Sequence, residues 1–390
     1  MLTSPWAGSR SAPLAEPVVI AAPERRGGRL HVLDALRLIA AVSAMTWHYA
    51  GFQRFSPIWG DTTPAKAVPL LHPFAVYGWV GVELFFLISG FVICMSVWGR
   101  SVGQFVTSRV SRLFPAYWAG VLMTSAMLFL VKPVWDEGAR DWEFTDILTN
   151  LTMMQNGIGG QDLDGVYWTL WLELRFYVLI GLLALWGLTY RRVVAFCGVW
   201  TLLSVFATNS PIPLIGVMTF PQYSPYFISG VAMYLMYRFG PNLLLWGLIG
   251  LNWLLAQNQL RGVVAIYSWD AKEHVSFGVA FALITLAFLA MIGVALGKFD
   301  WVRWKWLTVA GALTYPVYLL HQQLGWWVIR ELHDRMNPYL LLAGLMATML
   351  LVAWLLHRLV ERPLGSLLKR KMEQGLRQVR TASQPPVRRG

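Results

Sequence analysis

Charged residues are scarce in this chain. Asp, Glu, Lys and Arg together make up 13% of its 390 residues, whereas hydrophobic residues make up 56%. An average soluble domain carries about 25% charged residues. The composition therefore excludes an ordinary soluble enzyme and indicates an all-α, polytopic integral membrane protein whose apolar segments are helices of one bundle.

Cysteine is almost absent as well, since Cys94 and Cys197 are the only two in the sequence. Both lie inside apolar segments, where a thiol is usually a packing residue. Two cysteines alone cannot build a metal site, and the sequence has no nucleotide loop, zinc motif or G-x-S-x-G elbow. We therefore expect no bound metal and no bound cofactor, so any chemistry must rely on histidine, carboxylates and arginine.

The apolar segments predict about ten membrane spans within residues 31–358. They lie near 32–51, 75–98, 113–131, 167–188, 193–209, 223–239, 242–257, 275–297, 306–329 and 338–357. Residues 1–30 have no apolar core, so we expect a disordered cytoplasmic tail and not a signal peptide. Residues 359–390 are expected to form a basic cytoplasmic tail, amphipathic at first and disordered over 384–390.

The distribution of Lys and Arg predicts the orientation. Most of them fall on one side of the membrane when the amino terminus is placed in the cytoplasm, so both termini are expected inside a multi-pass protein of the inner or plasma membrane. The net charge of +12 then reflects topology and a basic tail that suits lipid headgroups. We expect no nucleic-acid partner because no compact basic domain is present. The sequence gives no indication of the oligomeric state.

Arg37 and His48 lie eleven residues apart in one apolar segment. Eleven helical residues make about three turns, so both side chains are expected on one face, about 16 Å apart along the axis. Asp34 lies on the same stripe, and ionisable groups in lipid are costly enough to suggest a polar path inside the bundle. His48 could accept and return a proton. The alternative is a structural histidine at the membrane interface.

Two carboxylates interrupt other apolar segments. Glu83 lies in the run Gly78–Phe91 and needs a partner or a proton, although a helix-packing hydrogen bond is an equal interpretation. Glu173 shares a predicted helix face with Thr169 and Tyr177. Nearby Trp168 could line a cavity or belong to the outer aromatic belt.

Two further motifs could carry function. Arg109 and Arg112 are spaced one helical turn apart at the inner end of the third span, as a phosphate clamp requires, although positive-inside anchors are the simpler interpretation. Tyr315, Tyr318 and His321 recur at three-residue steps and place two hydroxyls and an imidazole on a loosely shared face. Aromatic packing around a buried histidine is the alternative.

Taken together, these segments resemble the membrane-bound acyltransferase 3 family. The resemblance runs in order along most of the chain, through Leu33–Arg37 with the Arg-x10-His spacing to His48, Gly81–Phe91, Arg109–Pro115, Trp168–Glu173, Tyr315–His321 and Glu361–Pro363. Each motif alone is weak evidence for the family, but six motifs in this order are specific to it. The sequence departs from the family pattern at Ala35, where Gly is expected, and at Thr314, where Ser is usual.

The resemblance implies an O-acyltransferase that uses acyl-CoA, by default acetyl-CoA, and a hydroxyl of a carbohydrate or glycosylated small molecule. The family pattern implies that His48 is essential, that Arg37 is its partner, and that Arg109 and Arg112 serve the donor. On this hypothesis His48 is a general base or transient acyl carrier, and Glu83 or Glu173 orients its imidazole. Further residues expected to line the cavity are Asp34, Trp168, Tyr315, Tyr318 and His321.

Two other functions use the same residues. A proton-coupled transporter or flippase of a glycan or small molecule would use the polar stripe as a proton relay. A non-catalytic scaffold or receptor would instead have Arg37, His48, Glu83 and Glu173 paired separately, with no common cavity.

Overall fold

The computed structural model describes residues 29–54, 58–131, 142–208 and 210–382, and every regular element in these ranges is helical. The α-helices are α1 (His31–Thr46), α2 (Pro64–Ala67), α3 (His72–Ala75), α4 (Val80–Val97), α5 (Val102–Val131), α6 (Phe144–Leu151), α7 (Trp168–Leu185), α8 (Tyr190–Thr208), α9 (Pro213–Thr219), α10 (Ser224–Phe239), α11 (Leu243–Ala271), α12 (Phe277–Ala295), α13 (Trp306–Leu332), α14 (Pro338–Leu356) and α15 (Arg362–Ala382). Wider π-helical turns, Trp47–Gly51 and His357–Glu361, follow α1 and α14. The predicted disorder at residues 1–28 and 384–390 lies outside the described residues.

Six helical stretches among the described residues are long and apolar enough to cross a membrane. They are His72–Val97, Val102–Val131, Gly165–Leu185, Tyr190–Thr208, Phe277–Ala295 and Pro338–Val379. By length and composition these are the helices of a multi-pass membrane protein, as predicted.

Helices also occupy the other four expected spans, at α1, α10, α11 and α13. α1 and α10 have 16 residues each, fewer than the roughly 20 that cross a hydrocarbon core. α11 and α13 are longer, but buried polar residues such as Asn252 and His321 lower their mean hydropathy. The total of about ten spans and the cytoplasmic placement of both termini therefore stay predictions.

α10 is buried along most of its length and packs closely on α4. The contact depends on two glycines that face each other across the interface. A Cβ atom on Gly230 would lie 2.2 Å from the carbonyl oxygen of Leu87, and one on Gly90 would lie 2.2 Å from that of Phe227. Small residues at this contact let the two backbones approach, which is a common way to pack helices in membranes.

The Gly230→Ala variant is expected to be less stable than the wild-type protein by about 1–3 kcal/mol, because the new methyl group must push α4 and α10 apart. The measurement is the midpoint of thermal unfolding in nanodiscs, followed by tryptophan fluorescence. Gly247→Ala at an exposed position of α11 is the matched control, since nothing lies within 4 Å of its added Cβ. Equal midpoints for the two variants would contradict the close contact.

α1 and α13 also pack closely, and this contact brings the histidine motifs together. A Cβ on Gly311 would lie 2.3 Å from Oδ1 of Asp34, and one on Gly325 would lie 2.3 Å from the ring of Tyr49. The two glycines of α13 thus leave room for both ends of α1 and its π-turn. As a result, the helix that carries Arg37 lies against the helix that carries the tyrosine–histidine motif.

α15 occupies much of the expected basic tail and packs along the first half of α5. A Cβ on Gly365 would lie 2.6 Å from the carbonyl oxygen of Ser111, and one on Gly103 would lie 3.2 Å from Leu376. The segment of α5 that carries Arg109 and Arg112 is therefore braced by α15.

Candidate active site

A small cavity of about 110 Å³ lies between α1, α4, α5, α7 and α13. Its polar lining residues are Arg37, Ser89, Arg109, Arg112, Thr169, Glu173, Tyr177, Thr314, Tyr315 and Tyr318. Hereafter this space is the arginine cavity. Its volume is below the range of about 300–1,000 Å³ that is usual for ligand sites. It therefore fits the end of an extended group, and a nucleotide would have to lie outside it.

Arg37 reaches this cavity from α1, with Asp34 behind it. Nη1 of Arg37 lies 3.5 Å from Oδ1 of Asp34, and the other oxygen of that carboxylate is 2.8 Å from Nε of Arg29. Asp34 is 3% exposed and is not among the lining residues of the arginine cavity. The expectation that Asp34 lines the polar path is therefore not met, and its contacts are those of a residue that orients Arg37.

Glu173 is the carboxylate of the arginine cavity. It accepts a hydrogen bond from Oγ of Ser89 at 2.8 Å and interacts electrostatically with Arg37 and Arg109. Thr169 and Tyr177, its predicted neighbours on the helix face, line the same cavity. This arrangement holds one carboxylate among three arginines, so the cavity keeps an excess of positive charge that suits an anionic ligand.

A larger cavity of about 810 Å³ lies on the other side of Tyr318. Hereafter it is the histidine cavity, because His48 lines it. Its aromatic lining comprises Trp47, Phe52, Trp79, Trp142, Trp168, Tyr223, Tyr267, Tyr318 and Trp326, and its polar lining comprises Gln161, Asp162, Gln222, Asp270, Gln322 and Gln323. The volume falls within the range of about 300–1,000 Å³ that is usual for ligand sites.

Sequence reasoning selected only three of these residues, His48, Trp168 and Tyr318. The amides and most of the tryptophans come from segments without a motif, so no local pattern distinguished them from an aromatic belt.

The two cavities meet at Val82 and Tyr318, which line both. The hydroxyl of Tyr318 lies 2.8 Å from Oγ1 of Thr169, and its ring packs edge-on against Phe85 with centroids 5.8 Å apart. Tyr318 is thus held in the wall between the two spaces.

His48 lies in the π-turn Trp47–Gly51, and its carbonyl oxygen accepts a hydrogen bond from Nε1 of Trp326 at 2.8 Å. Arg37 lines one cavity and His48 the other, since eleven helical residues set the two about 16 Å apart along the axis. The Nδ1 atom of His48 is buried without a hydrogen-bond partner, and no hydrogen bond joins its ring to Glu83 or Glu173.

Glu83 is buried, with 1% of its surface exposed, and both carboxyl oxygens lack a hydrogen-bond partner. The packing hydrogen bond considered from the sequence is therefore not formed. The carboxyl group interacts electrostatically with Tyr223, Tyr226 and Tyr267. Its role in the chemistry stays a prediction. Among the described residues, no group of three or more His, Cys, Asp or Glu side chains could hold a metal ion.

Asp164 lies at the rim of the histidine cavity, just before α7. It is fully buried, and its oxygens accept hydrogen bonds from the backbone N–H groups of Val166 at 3.2 Å and Gln323 at 3.3 Å. Burial raises the pKa of its carboxyl group to about 7. The group therefore joins the rim loop to α13 and titrates near neutral pH.

The stability of the protein is expected to fall as the pH rises from about 4 to above 7. The unfolded Asp164 carboxyl loses its proton near pH 3.9, whereas the folded one keeps it to about pH 7. The contribution of this carboxyl group to the free energy of unfolding is thus present at low pH and is lost as the pH rises through the folded pKa. The thermal midpoint of Asp164→Asn should depend less on pH across this window, with Asp61→Asn at an exposed position as the control. Identical pH slopes for the wild type and Asp164→Asn would refute the shift.

A family model described as an acyltransferase domain matches residues 30–358. The match covers most of the chain and includes all the lining residues of both cavities. The chain belongs to this acyltransferase family. The ordered motifs had predicted this family, and membership in it favours catalysis over transport or a scaffold role.

One curated relative is Nodulation protein 10 of Rhizobium leguminosarum bv. viciae, which is 28% identical over 222 residues. The alignment covers 51% of this chain and 58% of that protein, so the chain spans less than two thirds of its relative. No solved structure matches the chain.

Proposed function

We propose that this acyltransferase moves an acyl group, by default acetyl, from acyl-CoA to a hydroxyl of a carbohydrate or glycosylated acceptor. The observation that carries the proposal is the pair of cavities that meet at Tyr318. One is lined by arginines and is narrow. The other is wide, aromatic and polar, and it holds His48.

The arginine cavity suits the acyl-CoA end of the reaction. Arg112 is exposed, while Arg37 and Arg109 are half-buried, so positive charge continues from the surface inwards along α5 and α1. Guanidinium groups bind phosphate oxygens through paired hydrogen bonds. The CoA phosphates would bind Arg109 and Arg112, and the narrow cavity would hold the acyl thioester that follows them.

The histidine cavity suits a sugar. Trp168 and Trp326 offer flat aromatic faces, and the side chains of Gln322 and Asp162 can bond to hydroxyl groups. Sugars present both kinds of surface, apolar C–H faces and a dense set of hydroxyls. The side-chain oxygen of Gln322 is buried without a hydrogen-bond partner, and a purely hydrocarbon acceptor would leave it unpaired, which is costly.

In the proposed reaction His48 acts as the general base. A ring nitrogen takes the proton from the acceptor hydroxyl while its oxygen attacks the thioester carbonyl. The C–S bond then breaks, and the CoA sulfur leaves with the proton that His48 returns. A covalent route, in which His48 first takes the acyl group, would release one equivalent of CoA without any acceptor.

The test uses the purified protein in nanodiscs with acetyl-CoA and a crude cell-envelope glycan extract. We expect free CoA to appear only when protein, acetyl-CoA and extract are all present, with acetyl groups recovered on glycan. Empty nanodiscs and extract treated with a glycosidase mixture are the controls. Proton-dependent glycan flux without thioester cleavage would instead support the transporter.

A further inference from the structure

His321 of α13 lies beside His48, with the two ring centroids 5.1 Å apart and the ring planes inclined by 62°. His321 is fully buried, and its Nδ1 lies 2.9 Å from the carbonyl oxygen of Tyr318. A carbonyl oxygen only accepts, so Nδ1 of His321 must be the donor. In the neutral ring, Nε2 then carries a lone pair, and this buried atom has no hydrogen-bond partner.

The ring of His48, which faces His321, also has a nitrogen without a hydrogen-bond partner. Nδ1 of His48 is also buried and without a partner, while the residue lines the wide cavity. Leaving a buried polar atom unpaired is unfavourable, because its hydrogen bonds to water are lost and not replaced. With the two ring centroids 5.1 Å apart, a hydrogen bond from Nδ1–H of His48 to the lone pair of His321, direct or through one water, would satisfy both atoms.

We propose that His321 is the positioning residue of His48. In this arrangement Nε2 of His321 accepts a hydrogen bond from Nδ1–H of His48. The lone pair of His48 is thereby fixed on its own Nε2, the nitrogen that would meet the acceptor hydroxyl. The proposal rests on the proposed function of His48 as the base. His321 would then orient His48 as the carboxylate of a Ser-His-Asp triad orients its histidine, but the neutral ring of His321 adds no buried charge.

The surrounding contacts hold both histidines in place from the backbone. The hydroxyl of Tyr49, the residue after His48, donates to the carbonyl oxygen of His321 at 2.8 Å. In return, Nε1 of Trp326, which is also on α13, donates to the carbonyl oxygen of His48 at 2.8 Å. These two reciprocal bonds tie the π-turn to α13, so the backbone segments that carry the two imidazoles keep their mutual position.

The test compares His321→Leu with His321→Gln. Leucine fills the space without an acceptor, whereas the amide oxygen of glutamine can replace Nε2. For CoA release we expect His321→Leu to lower kcat on the order of 10²-fold, with the KM for acetyl-CoA unchanged, because a neutral base with the wrong tautomer cannot take the proton. His321→Gln should recover most of the lost kcat. Equal losses in both variants, or wild-type kcat in His321→Leu, would overturn the proposal.

A second readout does not need acyl transfer. Diethyl pyrocarbonate modifies the nitrogen that carries the lone pair, and peptide mapping by mass spectrometry follows the rate at His48. Well above neutral pH we expect the rate to fall several-fold in His321→Leu and to stay near that of the wild type in His321→Gln. An unchanged rate in His321→Leu would overturn the role of His321. If the wild type releases no CoA, the proposed function fails, and the modification rates still decide the role of His321.

Discussion

His48→Ala is expected to release CoA from acetyl-CoA about 10³-fold more slowly than the wild-type protein when acceptor is present. The estimate follows from the 10²- to 10⁴-fold contribution of a positioned general base. His48 lines the histidine cavity, whereas Arg37 and Glu173 line the neighbouring one. The two carboxylates of the histidine cavity are already engaged, Asp162 by Gln155 and Asn156 and Asp270 by Arg54. Binding of acetyl-CoA should be unchanged, because the proposed donor contacts lie in the arginine cavity.

The controls for this prediction are a second histidine and a binding assay. His274 is exposed and does not line the histidine cavity, so His274→Ala should keep wild-type turnover. Thermal midpoints of both variants establish that they are folded. Near wild-type turnover in a folded His48→Ala protein would remove His48 from the chemistry.

The double variant Arg109→Ala/Arg112→Ala is expected to weaken acetyl-CoA binding on the order of 10²-fold or more. Hydrogen bonds between charged groups contribute about 1.5–3 kcal/mol each, and two guanidinium groups would be lost together. Nε of Arg109 is buried without a partner, so this donor is free for a ligand. The measurement is equilibrium binding of acetyl-CoA to protein in nanodiscs, at one fixed salt concentration.

Arg100→Ala is the matched control, because Arg100 is exposed just before α5 and does not line the arginine cavity. It should bind acetyl-CoA as the wild type does. Equal weakening in Arg100→Ala and the double variant would mean that only general positive charge at this end matters. Replacement by lysine at positions 109 and 112 should restore part of the affinity, since lysine keeps the charge but not the paired hydrogen bonds.

Hydropathy and motif order were enough to predict the architecture and the family. Long apolar runs predicted the all-α membrane bundle, and the ordered segments from Leu33 to Pro363 predicted the acyltransferase family, which the match over residues 30–358 confirms. Hydropathy is a property of the local sequence, and the motifs are recognised by their order along the chain. Both can therefore be read without any knowledge of how the helices pack.

The division of the site into two cavities could not be predicted in this way. Regular periodicity placed Arg37 and His48 on one helix face, but Val82 and Tyr318, which line both cavities, belong to other helices, and the local sequence of α1 does not show how those pack against it. The side chain that lies next to His48 could not be predicted either. Glu83 and Glu173 were preferred because carboxylates commonly orient a histidine, whereas the ring next to His48 belongs to His321.

The most direct test of the account is transfer between separated compartments. Proteoliposomes enclose the glycan extract, and acetyl-CoA labelled in its acetyl group is added outside. If the acyl group passes from the arginine cavity past Tyr318 to the histidine cavity, label should accumulate on the enclosed glycan while free CoA stays outside. Transfer that occurs only after detergent has mixed the compartments would contradict a path between the two cavities.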